Sequence, residues 1–399
     1  MKILLAPNAF KESLSAWKVC LSLERGIRRI FPQATIYKIP LADGGGGTVE
    51  ALIRATGGQQ FKKRVTGPSG EKVMAGYGIL GALPVNRRGK YGKGTTAVIE
   101  MAAASGLHLV PPDKRDPSRT TTFGTGELIK ACLDKDCRHI MVGVGDSATN
   151  DGGVGMAQAL GVRFRDKSGQ EIHLGGKNLK NIHHIEMEGL DKRLEKVKIT
   201  ILSDVKNPLC GPRGAARVFS PQKGATPEMV LELEKGLRHL AGIIKKDLGI
   251  EILNKPGAGA AGGLGAGLMA FLGAGSISGI KLILEMAGLE TYVKKADMVI
   301  TGEGKLDRQT IYGKAPMGVV RLARRYGCPV IGLAGTLGPG SELLYQYGFT
   351  SIFSIMDKPI TLSQAMKEAE VLLANAAERI MRVINLFSLS AKRYTLTYV

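Results

Sequence analysis

Ile140-Met-Val-Gly-Val-Gly-Asp-Ser-Ala-Thr-Asn-Asp-Gly-Gly-Val-Gly-Met156 decides how the chain is read. Its apolar start, Ile140–Val144, predicts a buried strand, Gly145–Asp151 a polar loop, and the glycines after it the opening of a helix. An apolar run, a tight glycine turn and a helix N-terminus are how α/β proteins build an anion site. The loop is also crowded with oxygen-bearing side chains: Asp146, Ser147, Thr149, Asn150 and Asp151. Main-chain N–H groups there suit a phosphate and the oxygens suit a divalent cation, so phosphoryl transfer is the first expectation.

Working outward, the same rhythm recurs at both ends of the chain. Ile3–Ala6 reads as a buried strand, and Ser15 as the cap of a helix whose Cys20, Leu23, Ile27 and Ile30 recur at helical spacing. Thr35–Ile39 alternates as a second strand, and Ala42-Asp-Gly-Gly-Gly-Gly-Thr48 leads into another helix. At the far end, Met298–Thr301, Pro329–Ala334 and Ser351–Ile355 read as strands, with helices over Pro316–Tyr326 and from about Leu362 to Val383. The expected fold class is therefore α/β with two domains. Residues 1–74 and 291–399 would form a Rossmann-like domain on a mainly parallel sheet of about five strands, and 75–290 an inserted α/β domain. Within the insertion, Val73–Leu80, Thr96–Met101 and Lys198–Leu202 read as strands and Phe123–Cys137 and Glu228–Leu248 as helices. Asn86–Gly94 is a basic, glycine-rich link, and Gly257–Gly267 must let backbone approach closely. Phe387–Val399 reads as a tail or an edge strand.

Composition removes several classes of function. A chain of 399 residues with 44% hydrophobic content is an ordinary globular protein of two domains. The apolar run in MKILLAP is too short for a secretory signal, and no stretch approaches a membrane span, so a cytoplasmic protein without a membrane partner is expected. Five scattered cysteines without a C-x-x-C suit a reducing compartment, and no H-E-x-x-H is present. The net charge of +20 raises nucleic acid as a partner. Only 5% of residues are aromatic and the basic pairs are dispersed, which argues instead for a cationic surface that attracts small anions. A nucleic-acid binder remains the competing class, recognisable by salt-steep binding to arbitrary DNA or RNA.

Three familiar motifs fail on inspection. Gly257-Ala-Gly-Ala-Ala-Gly262 fits G-x-G-x-x-G, but Pro256 precedes it and no clear strand leads in. The P-loop pattern is absent, and the nucleophile elbow G-x-S-x-G fails at Thr149. What remains is a set of acid- and amide-bearing loops at strand ends: Asp43, Asn150–Asp151, Asp204–Asn207 and Glu303–Asp307. Phosphoryl transfer needs N–H groups and cations around the phosphates, a carboxylate for Mg²⁺ and a base to orient the acceptor. Each of these residues could equally be a cap or a turn former; four such loops together favour a site.

The motifs at these loops, taken in order, resemble the type I glycerate kinases, the bacterial glycerate 2-kinase family. They are Ala6-Pro-Asn-Ala-Phe-Lys-Glu-Ser-Leu-Ser15, Ala42-Asp-Gly-Gly, Ser147-Ala-Thr-Asn-Asp-Gly-Gly153, Asp204-Val-Lys-Asn-Pro-Leu209, Pro221-Gln-Lys-Gly-Ala225, Pro256-Gly-Ala-Gly-Ala-Ala-Gly-Gly-Leu264, and Thr301-Gly-Glu-Gly-Lys-Leu-Asp-Arg-Gln-Thr310 with Gly313-Lys314. The resemblance implies two α/β domains and ATP- and Mg²⁺-dependent phosphorylation of D-glycerate to 2-phospho-D-glycerate. A 3-phosphoglycerate product or a related small hydroxy acid is the alternative within the class. Asp204 is expected to orient the acceptor hydroxyl, with Asp43 second and Lys11 as a mobile cation. Ser147, Asn150, Asp151, Gly152, Gly153, Gly302 and Lys305 are expected at ATP, Lys11, Asn207 and Gln309 at glycerate, and Glu303 and Asp307 at the metal. Two positions depart from the pattern: Asn8-Ala9 stands where Asp-Ser is usual, and Asp146 stands where glycine is common.

Overall fold

The computed structural model describes residues 1–81 and 94–395, with side chains to 386. Among them the strands are β1 (Lys2–Leu5), β2 (Thr35–Lys38), β3 (Gln59–Thr66), β4 (Lys72–Ile79), β5 (Thr96–Glu100), β6 (His139–Gly143), β7 (Arg163–Arg165), β8 (His184–Glu186), β9 (Lys198–Leu202), β10 (Gly275–Ile277), β11 (Met298–Leu306), β12 (Val330–Leu337) and β13 (Ser351–Ser354). The chain divides into two compact units, Met1–Ala42 with Ile280–Val399, and Asp43–Gly279.

In the unit of the chain ends, the sheet order is β13-β12-β11-β1-β2 and every pairing is parallel. Ranked along the chain, that is the doubly wound order 2-1-3-4-5, whose switch point lies between β1 and β11. Ile3 and Leu5 point into one core with helices Ala16–Arg28 and Leu362–Thr395, through Val19, Leu23, Ile27, Leu373 and Ala377. Leu4 and Val299, equally buried, alternate away from that core, as expected for a sheet covered on both faces. The Ser15 hydroxyl caps the first of these helices by accepting from the Lys18 N–H at 3.4 Å.

The inserted unit carries the order β10-β9-β6-β5-β4-β3, parallel from β10 to β5 and antiparallel from β5 to β3. A separate core under this sheet joins Ile140, Val142, Ile199, Ile201, Leu237, Leu240 and Phe271. β6, the strand of the opening stretch, is buried at every position.

Several expected boundaries move. The position between 74 and 75 falls inside β4, because the β3–β4 hairpin pairs with β5 and belongs to the inserted sheet. The second crossing lies at Gly279–Ile280 rather than near 290. β11 does not stop at Thr301 but continues through Leu306, with Glu303 opposite Ala334 and Lys305 opposite Thr336. Its glycines make it read as a loop, yet the neighbouring strand requires one of them. A Cβ on Gly302 would lie 1.8 Å from the Leu333 carbonyl oxygen. Phe387–Thr395 is neither an irregular tail nor an edge strand, since the last helix runs to Thr395. Extending an existing helix needs no new nucleus, so a weak alternating pattern does not stop it. Residues 86–93 of the basic link and 396–399 of the tail lie outside the described residues.

Candidate active site

In the unit of the chain ends, the candidate residues gather at the carboxyl ends of β1 and β11. After β1 the chain stays beside β11, with the N–H groups of Ala6 and Asn8 donating to Ile300 and Gly302 at 2.8 Å each. It then forms a turn closed by Phe10 and Leu14, with exposed Lys11 at its tip. That turn passes over Gly304, where a Cβ would lie 3.8 Å from the main-chain nitrogen of Lys11. Glu303 and Lys305 project from the continued strand. Glu303 accepts from the Thr310 hydroxyl at 3.2 Å and pairs with Lys314 Nζ at 3.2 Å. Asp307 begins the turn Arg308–Tyr312 as its cap, accepting from the Gln309 N–H at 2.9 Å, with Lys305 Nζ at 3.3 Å and Lys314 Nζ at 4.0 Å. Burial opposes the charge on Asp307, but Lys305, the Gln309 N–H and Lys314 outweigh it and hold the carboxyl below its usual range. The result is two nearly buried carboxylates sharing one lysine, on a rigid strand end at the switch point.

This donor set fits Mg²⁺, which is bound by one or two carboxylates and keeps water or phosphate oxygens in its other positions. Among the described residues no group of three or more His, Cys, Asp or Glu is arranged to hold a metal.

The inserted unit holds the second group, at the carboxyl ends of β5, β6 and β9. Asp43 belongs here rather than with the chain ends. The glycine loop after it lies across the end of β9, with the Cβ position of Gly44 2.5 Å from the carbonyl oxygen of Leu202, two residues before Asp204. Asp146 accepts from the Gly46 N–H at 3.0 Å and so ties the glycine loop to the opening loop. Its φ of +57° is left-handed, which explains why glycine suits this position; Asp is among the side chains that tolerate it. Asp146→Gly is therefore expected to be nearly neutral, trading one hydrogen bond for relief of strain. Asp146→Ala keeps the strain and loses the bond, and should cost about 1–2 kcal/mol in urea melts.

The opening loop itself differs from a simple phosphate cradle. Asp151, 1% exposed, accepts from the Thr122 N–H at 2.7 Å, the Thr122 hydroxyl at 2.9 Å, the Gly153 N–H at 3.1 Å, the Gly155 N–H at 3.3 Å and the Thr121 hydroxyl at 3.4 Å. Burial pushes its pKa up against these donors. The Gly152 N–H donates to the Gly262 carbonyl at 3.1 Å. The Gly152 and Gly153 amides expected at ATP thus have internal partners, and Asp151 is engaged in the fold. The helix they open is only Val154–Ala159. The Gly257–Gly267 stretch is the other half of this packing: a Cβ on Gly262 would lie 2.0 Å from the Thr149 carbonyl oxygen. No strand leads into it, and it forms the turn Ala260–Gly263 and helix Leu264–Leu272, so it is a packing surface and not a dinucleotide fingerprint.

Ser147 and Asn150 fare differently. Ser147 accepts from Lys223, and both amide atoms of fully buried Asn150, with the Thr149 hydroxyl, have no hydrogen-bond partner among the described residues. Asn207 donates its side-chain N–H to the Arg213 carbonyl at 2.7 Å and accepts the Gly259 N–H on its main chain at 3.0 Å, which holds a turn. Gln309 is exposed one position beyond Arg308.

Two residues escape a reading of loops alone. Glu100, at the end of β5, accepts the Val49 N–H at 2.7 Å at the start of helix Thr48–Thr56. Burial pushes it up to about 7 against the Val49 and Gly47 N–H groups, and Asp146 adds to the rise. Its one signal was an acid at the end of an apolar run. Lys223 is 2% exposed, and burial pushes its amine down to about 7, with Asp151 opposing. Only the Pro221–Ala225 motif marked it.

An apolar cavity lies elsewhere in the unit of the chain ends. It measures about 660 Å³ and is lined by Met298, Ile331, Phe353, Ile380 and Val383, mostly toward the amino ends of the strands. None of the candidate residues lines it.

The sequence matches the Glycerate kinase family over residues 3–385. It is 48% identical over 380 residues to the glycerate 2-kinase of Escherichia coli K12, covering 95% of this chain and 97% of that protein. It is also 48% identical over 386 residues to the glycerate kinase of Bacillus subtilis 168, covering 97% and 98%. A crystal structure of a candidate glycerate kinase 2 from Salmonella typhimurium LT2 superposes with a TM-score of 0.80 at 46% identity, over 98% of this chain and 99% of that one. The α/β chain described above therefore belongs to the glycerate kinase family.

Proposed function

We propose that this chain transfers the γ-phosphoryl group of ATP to the 2-hydroxyl of D-glycerate, giving 2-phospho-D-glycerate and ADP. Family membership supports the reaction class, and the relative at 48% identity named glycerate 2-kinase supports the position. The observation that carries it is the pairing of Glu303 and Asp307 around Lys314 at the β1/β11 switch point, under the turn that bears Lys11. Glu303 and Asp307 would hold Mg²⁺, which neutralises phosphate charge when bound. Lys11, Lys305 and Lys314 supply further positive charge to the phosphates. In the inserted unit, Asp204 is the base that orients the acceptor hydroxyl and takes its proton as the new P–O bond forms and the bond to ADP breaks, with Asp43 as second choice.

D-Glycerate with MgATP is expected to release ADP in a coupled assay, at roughly 1–100 turnovers per second. Phosphorus NMR of the product decides the position. A 3-phosphoglycerate signal would overturn the 2-hydroxyl assignment, and no glycerate-dependent ADP would overturn the substrate. A cytoplasmic setting fits the five unpaired, buried cysteines. Among the described residues no helix is long and apolar enough to cross a membrane.

A further inference from the structure

Lys223 reaches from the turn Pro221–Lys223 to the underside of the opening loop. Its Nζ donates to Ser147 Oγ at 2.8 Å and to the Thr149 carbonyl at 2.7 Å. Ser147 is the point where the loop pairs with Gly106, and the carbonyl of Ala148 is held by the Thr120 hydroxyl at 2.9 Å. The loop is thus fixed on several sides, and what is left adjustable is the direction of the Ser147 hydroxyl hydrogen. We propose that Lys223 is a positioning residue that sets this direction, so that Ser147 is presented as a donor to an anionic oxygen of a substrate.

Donor and acceptor counts decide which way the hydroxyl turns. An ammonium has three donors and no acceptor, so a protonated Lys223 obliges Ser147 Oγ to accept, and the hydroxyl hydrogen turns away from it. A neutral amine keeps a donor for the Thr149 carbonyl and offers its lone pair to Ser147. The hydroxyl can then point inward and is lost to a ligand. Burial brings the amine down to about 7, so both states lie within an ordinary assay range. Asp151, on the same loop, faces the amine and opposes that fall. Asp146 is the next charge along the loop, and Arg115 packs its carbonyl and Cβ against Gly224 beside Lys223. The anion is a phosphate oxygen or a carboxylate oxygen; only its identity as ATP or glycerate rests on the kinase reading above.

Binding of a non-hydrolysable ATP analogue and of D-glycerate is measured separately by calorimetry between pH 6 and pH 8.5, on wild type, Ser147→Ala and Lys223→Met. In wild type, Kd for one of the two ligands should rise about tenfold as pH increases, the weight of one charge-assisted hydrogen bond. The arm that shows the step identifies the anion. Ser147→Ala should bind at the weak value throughout, with no step, although Lys223 is still present. Lys223→Met should be equally flat; if it does not fold, Ser147→Ala alone decides. A lysine that only supports the fold would leave the step intact in Ser147→Ala, and that result overturns the proposal, as does a wild type without a step in either arm. Turnover is not needed for this measurement. A protein that fails to phosphorylate glycerate would refute the kinase reading while the ATP arm still tests Lys223.

Discussion

Asp151→Ala is expected to lower the melting temperature by roughly 10 °C or more, and to leave much of the protein insoluble on expression. The carboxylate accepts five hydrogen bonds at 1% exposure, from Thr121, Thr122, Gly153 and Gly155. These serve two helix beginnings at once. Gly153 and Gly155 open Val154–Ala159, while Thr121 also accepts the Phe123 N–H at 3.1 Å, at the start of Phe123–Leu133. Removing the acceptor leaves buried donors with no water to turn to, at about 1–3 kcal/mol each. Even with partial relaxation the sum exceeds about 4 kcal/mol, which places the substitution among the exceptional ones. Asp151→Asn should fall between the two, because one oxygen remains to accept while the new NH₂ faces N–H donors. A melting temperature within 2 °C or so of wild type for the alanine variant would show that the network is not what holds this loop.

Asp204→Asn is expected to lower kcat by roughly a hundredfold or more with little change in the KM for ATP. Asp204 is exposed just beyond β9, whose last residue, Leu202, lies against Gly44 of the glycine loop that follows Asp43. The amide is nearly isosteric and cannot take the acceptor's proton, so the loss should appear in the chemical step. Asp43→Asn serves as the comparison, and the larger loss in kcat identifies the base. Glu303→Gln should behave differently. It weakens the proposed metal site beside Lys314, so its defect should shrink as Mg²⁺ is raised, whereas that of Asp204→Asn should not. Near wild-type kcat in a folded Asp204→Asn protein would remove Asp204 from the mechanism.

Much of the architecture was legible in local patterns. Buried runs at Ile3, Ile140, Ile199, Met298 and Val330 have the length and spacing of strands closed by turn residues, and helix Ala16–Arg28 announces both its cap and its apolar face. A parallel sheet shared by the two chain ends follows from that rhythm, since two strand–helix units in the first sixty residues cannot bury a core alone. Where glycine is dense, the local signal misleads. Gly302 and Gly304 read as a loop, yet they lie in a strand because the ladder to β12 needs a residue without a side chain opposite Leu333. The hairpin Gln59–Ile79 reads as part of either unit, and only its pairing with β5 assigns it to the insertion.

The same division holds at the site. From sequence alone come the acids and lysines at strand ends, the family they resemble, and the loop from Ile140 to Met156 as a centre of the chain. Tertiary structure decided what each polar atom does there. It gave Asp151 and the Gly152 and Gly153 amides to the fold, placed Asp43 beside β9, brought Glu303 and Asp307 to one lysine, and put Lys223 beneath Ser147 from about seventy-six positions away. The physical reason is that strands and helices are encoded by neighbours in sequence. The partner of a buried donor, and the burial that shifts a lysine or a carboxyl, are set by residues remote along the chain that only packing brings together.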